Sequence, residues 1–313
     1  LSSTQQRISK VKPGTSSFWS VGIISVLFIG AYFVLRALPD AQCGFLHYEE
    51  IRNADGEIEL CATNHAGFID LTRFKYPIAT QLEIEEIDAA GVLRVGLNLE
   101  TSGGMSIAPY ELAVTHTKKM HVMLIDASLQ DYHHVHPEPD GLNGRYTFEF
   151  SPASSGAYRV FTEIVPLMSR QQAIATGTIP VSGSAGTPGF SKRTESSVDG
   201  VQFELVGVPA TIRTGQDYKF NLNISAENGA PVALEMIMGA KGHMVAFDAA
   251  GKGFAHMHPV DSIVASRAGL TTDSKEGELA FMFNVPNPGW YRIFAQVQIA
   301  GQEVYGPFDL YVD

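Results

Sequence analysis

Two stretches of this chain carry the same pattern, and a repeat constrains a fold more tightly than composition does. The first reads Met120-His121-Val122-Met123-Leu124-Ile125-Asp126, followed by His134-Val135-His136-Pro137. The second reads Gly242-His243-Met244-Val245-Ala246-Phe247-Asp248, followed by His256-Met257-His258-Pro259. In both, the first histidine precedes the aspartate by five residues and the next histidine by thirteen. Downstream, Phe148-Glu149-Phe150 answers Phe281-Met282-Phe283, and Gly156-Ala157-Tyr158-Arg159-Val160-Phe161 answers Gly289-Trp290-Tyr291-Arg292-Ile293-Phe294. Agreement at so many positions reads as an internal duplication.

The spacing also predicts geometry. Asp248-Ala249-Ala250-Gly251-Lys252-Gly253 is a turn between two strand-like runs. A hairpin centred near Ala250 and Gly251 sets His243 opposite His258. Directly opposed residues share a sheet face, as do residues two apart. His243, His256 and His258 then converge on one face. A hairpin centred near Ser128 and Leu129 brings His121, His134 and His136 together likewise and turns His133 away. Three imidazoles suit copper, zinc, nickel or iron. The other reading has the histidines satisfied by backbone carbonyls or a carboxylate, with His-x-His-Pro a packed strand end and Asp126 and Asp248 holding turns. Methionines gather nearby: Met120, Met123, Met236, Met238, Met244 and Met257. Thioethers are soft ligands for copper(I), but methionine is more often core filler. On this register Met123 shares the histidine face, whereas Met244 and Met257 do not, and most of the six are expected in the core.

Strand patterning surrounds the repeats. Leu93-Arg94-Val95-Gly96-Leu97-Asn98-Leu99 alternates with period two. Similar runs recur at 111–115, 121–126, 146–150 and 157–164, then at 201–207 and 218–224. Between the two sets, Ser182-Gly183-Ser184-Ala185-Gly186-Thr187-Pro188-Gly189 reads as a linker. Short strands at this spacing suggest two β-sandwiches in tandem, at 81–181 and 201–313, joined by a linker at 182–200.

Ahead of them, Phe18 to Leu35 is nearly all apolar, and no residue from Pro13 to Leu35 is charged. That length crosses about 30 Å of hydrocarbon. A transmembrane helix is expected over 17–36, with Trp19 and Tyr32 near its ends. A cleaved signal peptide is the alternative. The basic residues Arg7, Lys10 and Lys12 predict a cytoplasmic segment at 1–16 and place the bulk of the chain outside, although Arg36 breaks that rule. Residues 37–80 form a juxtamembrane collar, with Asn53-Ala54-Asp55-Gly56 as a hairpin turn. Cys43 and Cys61 lie in this collar and are expected to form a disulfide. A thiolate site with His47 or His65 is the alternative. No C-x-x-C-H haem site exists, and no cysteine has the nearby histidine and methionine of a blue-copper loop.

The net charge is −11, and residues 1–36 hold four basic side chains and no acid. Beyond residue 36, 18 of the 22 basic residues face all 33 acidic ones, a net −15. That balance argues against nucleic acid as a partner and suits cations or a basic protein surface.

Met238-Gly239-Ala240-Lys241-Gly242-His243, with His256-Met257-His258-Pro259 after it, resembles a motif of poorly characterised bacterial exported and periplasmic proteins. The resemblance implies immunoglobulin-like or cupredoxin-like domains over about 90–182 and 200–313, a periplasmic location outside an inner membrane, and a link to copper. The first copy departs from it, with Lys118-Lys119-Met120-His121 where the second has Ala240-Lys241-Gly242-His243.

The expected protein is therefore an all-β ectodomain on one N-terminal transmembrane helix, anchored in the bilayer. Its two sites, His121, His134, His136 and His243, His256, His258, are expected to bind copper, with zinc as the alternative. The other reading is a non-catalytic accessory subunit of a larger respiratory or photosynthetic membrane complex. A three-histidine metal with an open position could activate water. The chain offers no duplicated general base besides the turn aspartates and no Ser or Cys nucleophile arrangement, so it is not expected to be an enzyme.

Overall fold

A computed structural model describes residues 15–37, 48–52, 56–62, 67–260 and 276–313. Residues 1–14 of the expected cytoplasmic segment lie outside them, as do Cys43 of the expected disulfide, His47 and His65. The first element is the α-helix Thr15–Ala37. Its stretch Trp19–Ala37 is long and apolar enough to cross a membrane, with a mean hydropathy of 1.9. Apolar side chains cover it on every side, a pattern that fits a membrane span or a signal sequence and not a surface helix with one wet face. The rest of the fold belongs to a separate compact unit, Gly44–Asp313.

That unit is all-β and antiparallel. In the first sandwich, one sheet orders Ile78–Ile87, Leu93–Thr101, Arg145–Phe150 and Glu138–Pro139. Its facing sheet orders Ala173–Val181, Gly156–Ile164, Met120–Asp126 and Tyr132–Val135. In the second sandwich, Glu195–Val198, Val201–Val206, Tyr218–Ala226 and Glu278–Phe283 form one sheet. The other orders Gln302–Val312, Gly289–Ile299, His243–Asp248, Gly253–Met257 and Ile69–Asp70.

The two histidine strands are buried on both faces. Every residue of Met120–Asp126 and of His243–Asp248 is buried, with none of the in-out alternation seen in Ile78–Ile87. One face explains half of this: Met120, Val122 and Leu124 enter the first core, and Met244 and Ala246 enter the second. The opposite faces build a third apolar layer between the sandwiches. Met123, Ile125, Leu129, Tyr132 and Phe161 of the first copy there meet Val245, Phe247, Phe254 and Phe294 of the second.

Two sequence expectations need correction. The run at 111–115 is not a strand: Pro109–Glu111 form a 3-10 turn, and the following amides of Ala113 and Val114 bond singly to the carbonyls of Val165 and Ile58. The linker expected over 182–200 is shorter, because Glu195–Val198 pairs with Val201–Val206. Asp199 and Gly200, both with positive φ, make the two-residue turn between them. The collar also contributes a strand to the β unit. Its hairpin, Tyr48–Arg52 on Ile58–Ala62, is as expected, but Ile69–Asp70 adds a strand to the edge of the second sandwich beside Gly253–Phe254. Asn287 anchors that strand through a 3.0 Å bond to the Asp70 carboxylate.

Candidate metal centre

The hairpins that carry the histidines are closed by their aspartates. Asp126 accepts the amides of Ser128, Gln130 and Asp131 at 2.8–3.0 Å. Asp248 accepts those of Lys252 and Gly253 at 2.7 and 3.1 Å. These carboxylates hold turns, as the structural reading of the sequence expected. With the turns fixed, Met123 pairs with His134 and Met244 with Met257. Continuing each register, two steps on from the first pair and one step on from the second, His121 faces His136 and His243 faces His258. His133 points to the opposite side, against Phe150 and Tyr158, with Asp131 3.0 Å away.

Each triad brings one ligand atom per histidine to within 4.8 Å of the others. His121 and His243 are 1% exposed, His256 2%, and His134 and His258 6%. His136 is half-buried and borders an open cleft of about 460 Å³ with Lys118, Glu138 and Phe148.

Burial, with neighbouring rings adding to it, keeps five of these imidazoles neutral. It pushes His121 down to about 4 and His136 to about 2, and it holds His134, His243 and His258 well below the ordinary histidine value. Neutral imidazole is the form that binds a metal.

The tautomers follow from the partners. His121 Nε2 lies 2.9 Å from the Thr115 carbonyl, which only accepts, so Nε2 carries the proton and Nδ1 a lone pair. His134 Nδ1 lies 3.0 Å from Gln296 Oε1. The Gln296 amide cannot be flipped without loss, because its Nε2 donates to Glu303 and Tyr305 at 2.8 and 3.0 Å. His134 Nδ1 is therefore the donor and Nε2 holds a lone pair. Yet His121 Nδ1 and His134 Nε2 stand 3.2 Å apart. Two lone pairs face each other with no proton between them. Tetrahedral bonds of 2.0–2.1 Å to one metal set two nitrogens about 3.3 Å apart.

In the second triad, His256 Nδ1 donates to Glu163 Oε2 at 3.2 Å, which turns the Nε2 lone pair inward. His256 Nε2, His258 Nε2, His136 Nε2 and both His243 nitrogens are buried and meet no hydrogen-bond partner. Burial alone would raise the Glu163 carboxyl. His256 and His121 beside it, and a 2.5 Å bond from Gln172, outweigh that and hold it at about 2.

Three of these groups escaped sequence reasoning. Glu163 and Gln296 occupy equivalent places, two residues past the matched Phe161 and Phe294, so extending the repeat would have found them. His116 sits in a turn with Thr117, both at positive φ, and stacks on His258 with 3.8 Å between ring centres. Its counterpart is Met238, also at positive φ next to Gly239. Of the methionines, Met120, Met244 and Met257 lie in the cores, Met123 in the layer between the sandwiches, and Met236 is exposed.

Fold and site define a class: a chain with a duplicated all-β unit whose copies each present a histidine triad that could hold a metal ion, buried in the second copy and half-open at His136 in the first. The chain belongs to the family described as Domain of unknown function (DUF8832), whose model matches residues 79–182 and 196–313, both copies of the repeat. No curated protein matches it. Among solved structures it is similar to a β-glycosidase from Bacteroides vulgatus at 9% identity, covering 76% of this chain and 25% of that one, with a TM-score of 0.20. It is similar to invasin, a bacterial integrin-binding protein, at 14% identity, covering 74% and 39%, with a TM-score of 0.20. A chimeric titin Z1Z2 tandem matches at 14% identity, covering 71% and 91%, with a TM-score of 0.19. The chain thus spans well under half the length of the first two. Likenesses this loose carry no functional argument.

Proposed function

We propose that this chain is a membrane-anchored metal-binding protein whose two triads each take a copper ion, held outside an inner membrane for storage, delivery or sensing. The observation that carries the reading is the facing pair of lone pairs on His121 and His134, 3.2 Å apart and without a proton to share. A bound cation removes that repulsion, and the unpartnered nitrogens of the second triad point to the same need. All-nitrogen donors suit copper or zinc and not calcium or magnesium, which take oxygen. The apolar helix and the basic residues ahead of it support a single-pass anchor with the β unit in the periplasm. The role in this reading is binding, and the duplicated carboxylates Asp126 and Asp248 are committed to turns.

The test is metal analysis of the purified full chain after exposure to copper and to zinc. The parent is expected to retain metal, and the double variant His256→Ala, His258→Ala to lose about half of it. A parent with no metal above background overturns the proposal. The net −15 beyond residue 36 supports a second reading, a non-catalytic accessory subunit of a larger membrane complex. Purification in mild detergent tests it, and a chain that always migrates alone counts against it.

A further inference from the structure

The two triads are not separate. His134 and His256 ring centres are 5.2 Å apart, His121 and His256 5.8 Å, and His134 and His243 6.4 Å. Each copy also orients a histidine of the other. Gln296 of the second copy accepts from His134 of the first, and Glu163 of the first accepts from His256 of the second. The same exchange holds the far end of the interface. Arg292 donates to the Leu129 carbonyl in the first hairpin turn at 2.7 Å, and the guanidinium of its counterpart Arg159 lies where a Cβ on Gly251, in the second hairpin turn, would sit. The copies are thus related by an approximate two-fold axis through the histidine cluster.

The symmetry fails in charge. The partner of His256 is a carboxylate, whereas that of His134 is a neutral amide. Lys118, ion-paired with Glu138 at 3.4 Å, borders the same cleft as His136 of the first triad, and the equivalent position in the second copy is Ala240. A carboxylate behind a ligating histidine raises the donor strength of the inward nitrogen. A nearby ammonium opposes a cation.

We propose that the two triads form one two-metal centre assembled between the copies, in which His243, His256 and His258 fill first and His121, His134 and His136 fill second. The proposal rests on the reading that the triads bind metal. An ion in the second triad is favoured by Glu163. The next ion enters beside Lys118 and against the charge of the first, so its affinity is lower. Losing an outer hydrogen-bonding partner of a metal-bound histidine typically costs 10–100-fold in affinity. The two steps are expected to differ by roughly tenfold or more on that scale.

The experiment uses the full chain in detergent, stripped of metal. Titration with zinc(II) against a chromophoric chelator is expected to show two ions per chain in two resolved steps. His256→Ala removes the tight step, and His136→Ala removes the weak one. Glu163→Gln, which keeps a hydrogen bond to His256 but not the charge, brings the steps together. Lys118→Ala, a change at the surface, tightens the weak step severalfold. With copper(II), electron paramagnetic resonance is expected to show an isolated signal at one equivalent. At two, it broadens and gains a half-field line from the coupled pair. Two equal steps with magnetically isolated coppers overturn the shared centre and leave metal binding standing, and so does a single ion per chain. No bound ion overturns both.

Discussion

The metal-free chain is expected to lose stability on mild acidification, well above the pH at which its carboxylates protonate. The cause is the set of buried neutral histidines. In the unfolded chain a histidine titrates near 6.5. In the fold, burial and neighbouring rings push His121 to about 4, His116 to about 3 and His136 to about 2. A depressed histidine value means that the unfolded state takes up protons first. The stability is therefore full above pH 6.5 and drains away as pH falls from there, down to about 4 for His121, 3 for His116 and 2 for His136. At pH 5 the unfolded chain gains about 2 kcal/mol for each such histidine. Three of them together approach 6 kcal/mol, comparable with the whole stability of many domains, 5–15 kcal/mol. Glu163 and Asp131 do not contribute between pH 6.5 and 4. Burial raises both Glu163 and Asp131, but hydrogen bonds with His256 and His133 hold each near 2, so their contribution is lost only below about pH 4. Urea unfolding of the stripped chain at pH 7.5 and 5.0 measures the effect. His116→Phe should reduce the proton uptake by about one. Unfolding free energies that agree within about 1 kcal/mol between the two pH values would refute the account of the buried rings.

Other substitutions probe the frame around the site. Arg292 is buried against Asp309 and donates to the Leu129 and Gly189 carbonyls at 2.7 and 2.8 Å. Arg292→Met leaves the Asp309 carboxylate with only its 3.5 Å ion pair to Arg193 and should cost about 3 kcal/mol in urea unfolding. A Cβ at Gly253 would collide with the Ile69 carbonyl. Gly253→Ala should detach Ile69–Asp70 from the sheet edge, seen as faster hydrogen exchange at the Leu71 amide, which bonds to the Lys252 carbonyl at 2.9 Å. Asp248→Ala frees the Lys252 and Gly253 amides and should cost about 1–3 kcal/mol, measured in the same unfolding assay.

The hairpins and their triads were legible because a strand alternates strictly, so spacing alone decides which histidines share a face. The relation between the copies was not, since spacing within one copy says nothing of what its outer face meets. A trace of it lay in Met120–Asp126, where the near-absence of polar residues on either face signals burial on both. The strand Glu195–Val198 hid because its residues are mostly polar, and only Asp199-Gly200 marks the turn that creates it. The run at 111–115 misled in the other direction: Leu112-Ala113-Val114 looks like a strand, but its neighbours on the two sides are different segments, Pro166 and Glu59, so no ladder forms.

The fusion of the two copies has a consequence that no pair of identical chains could share. In a homodimer every residue appears on both sides of the axis, so a change that suits one site is imposed on the other. Here one gene encodes both halves, and each half mutates alone. Glu163 could face Gln296 across the axis, and Lys118 could face Ala240, without either change being copied. Tandem linkage frees a symmetric architecture to hold two unequal sites.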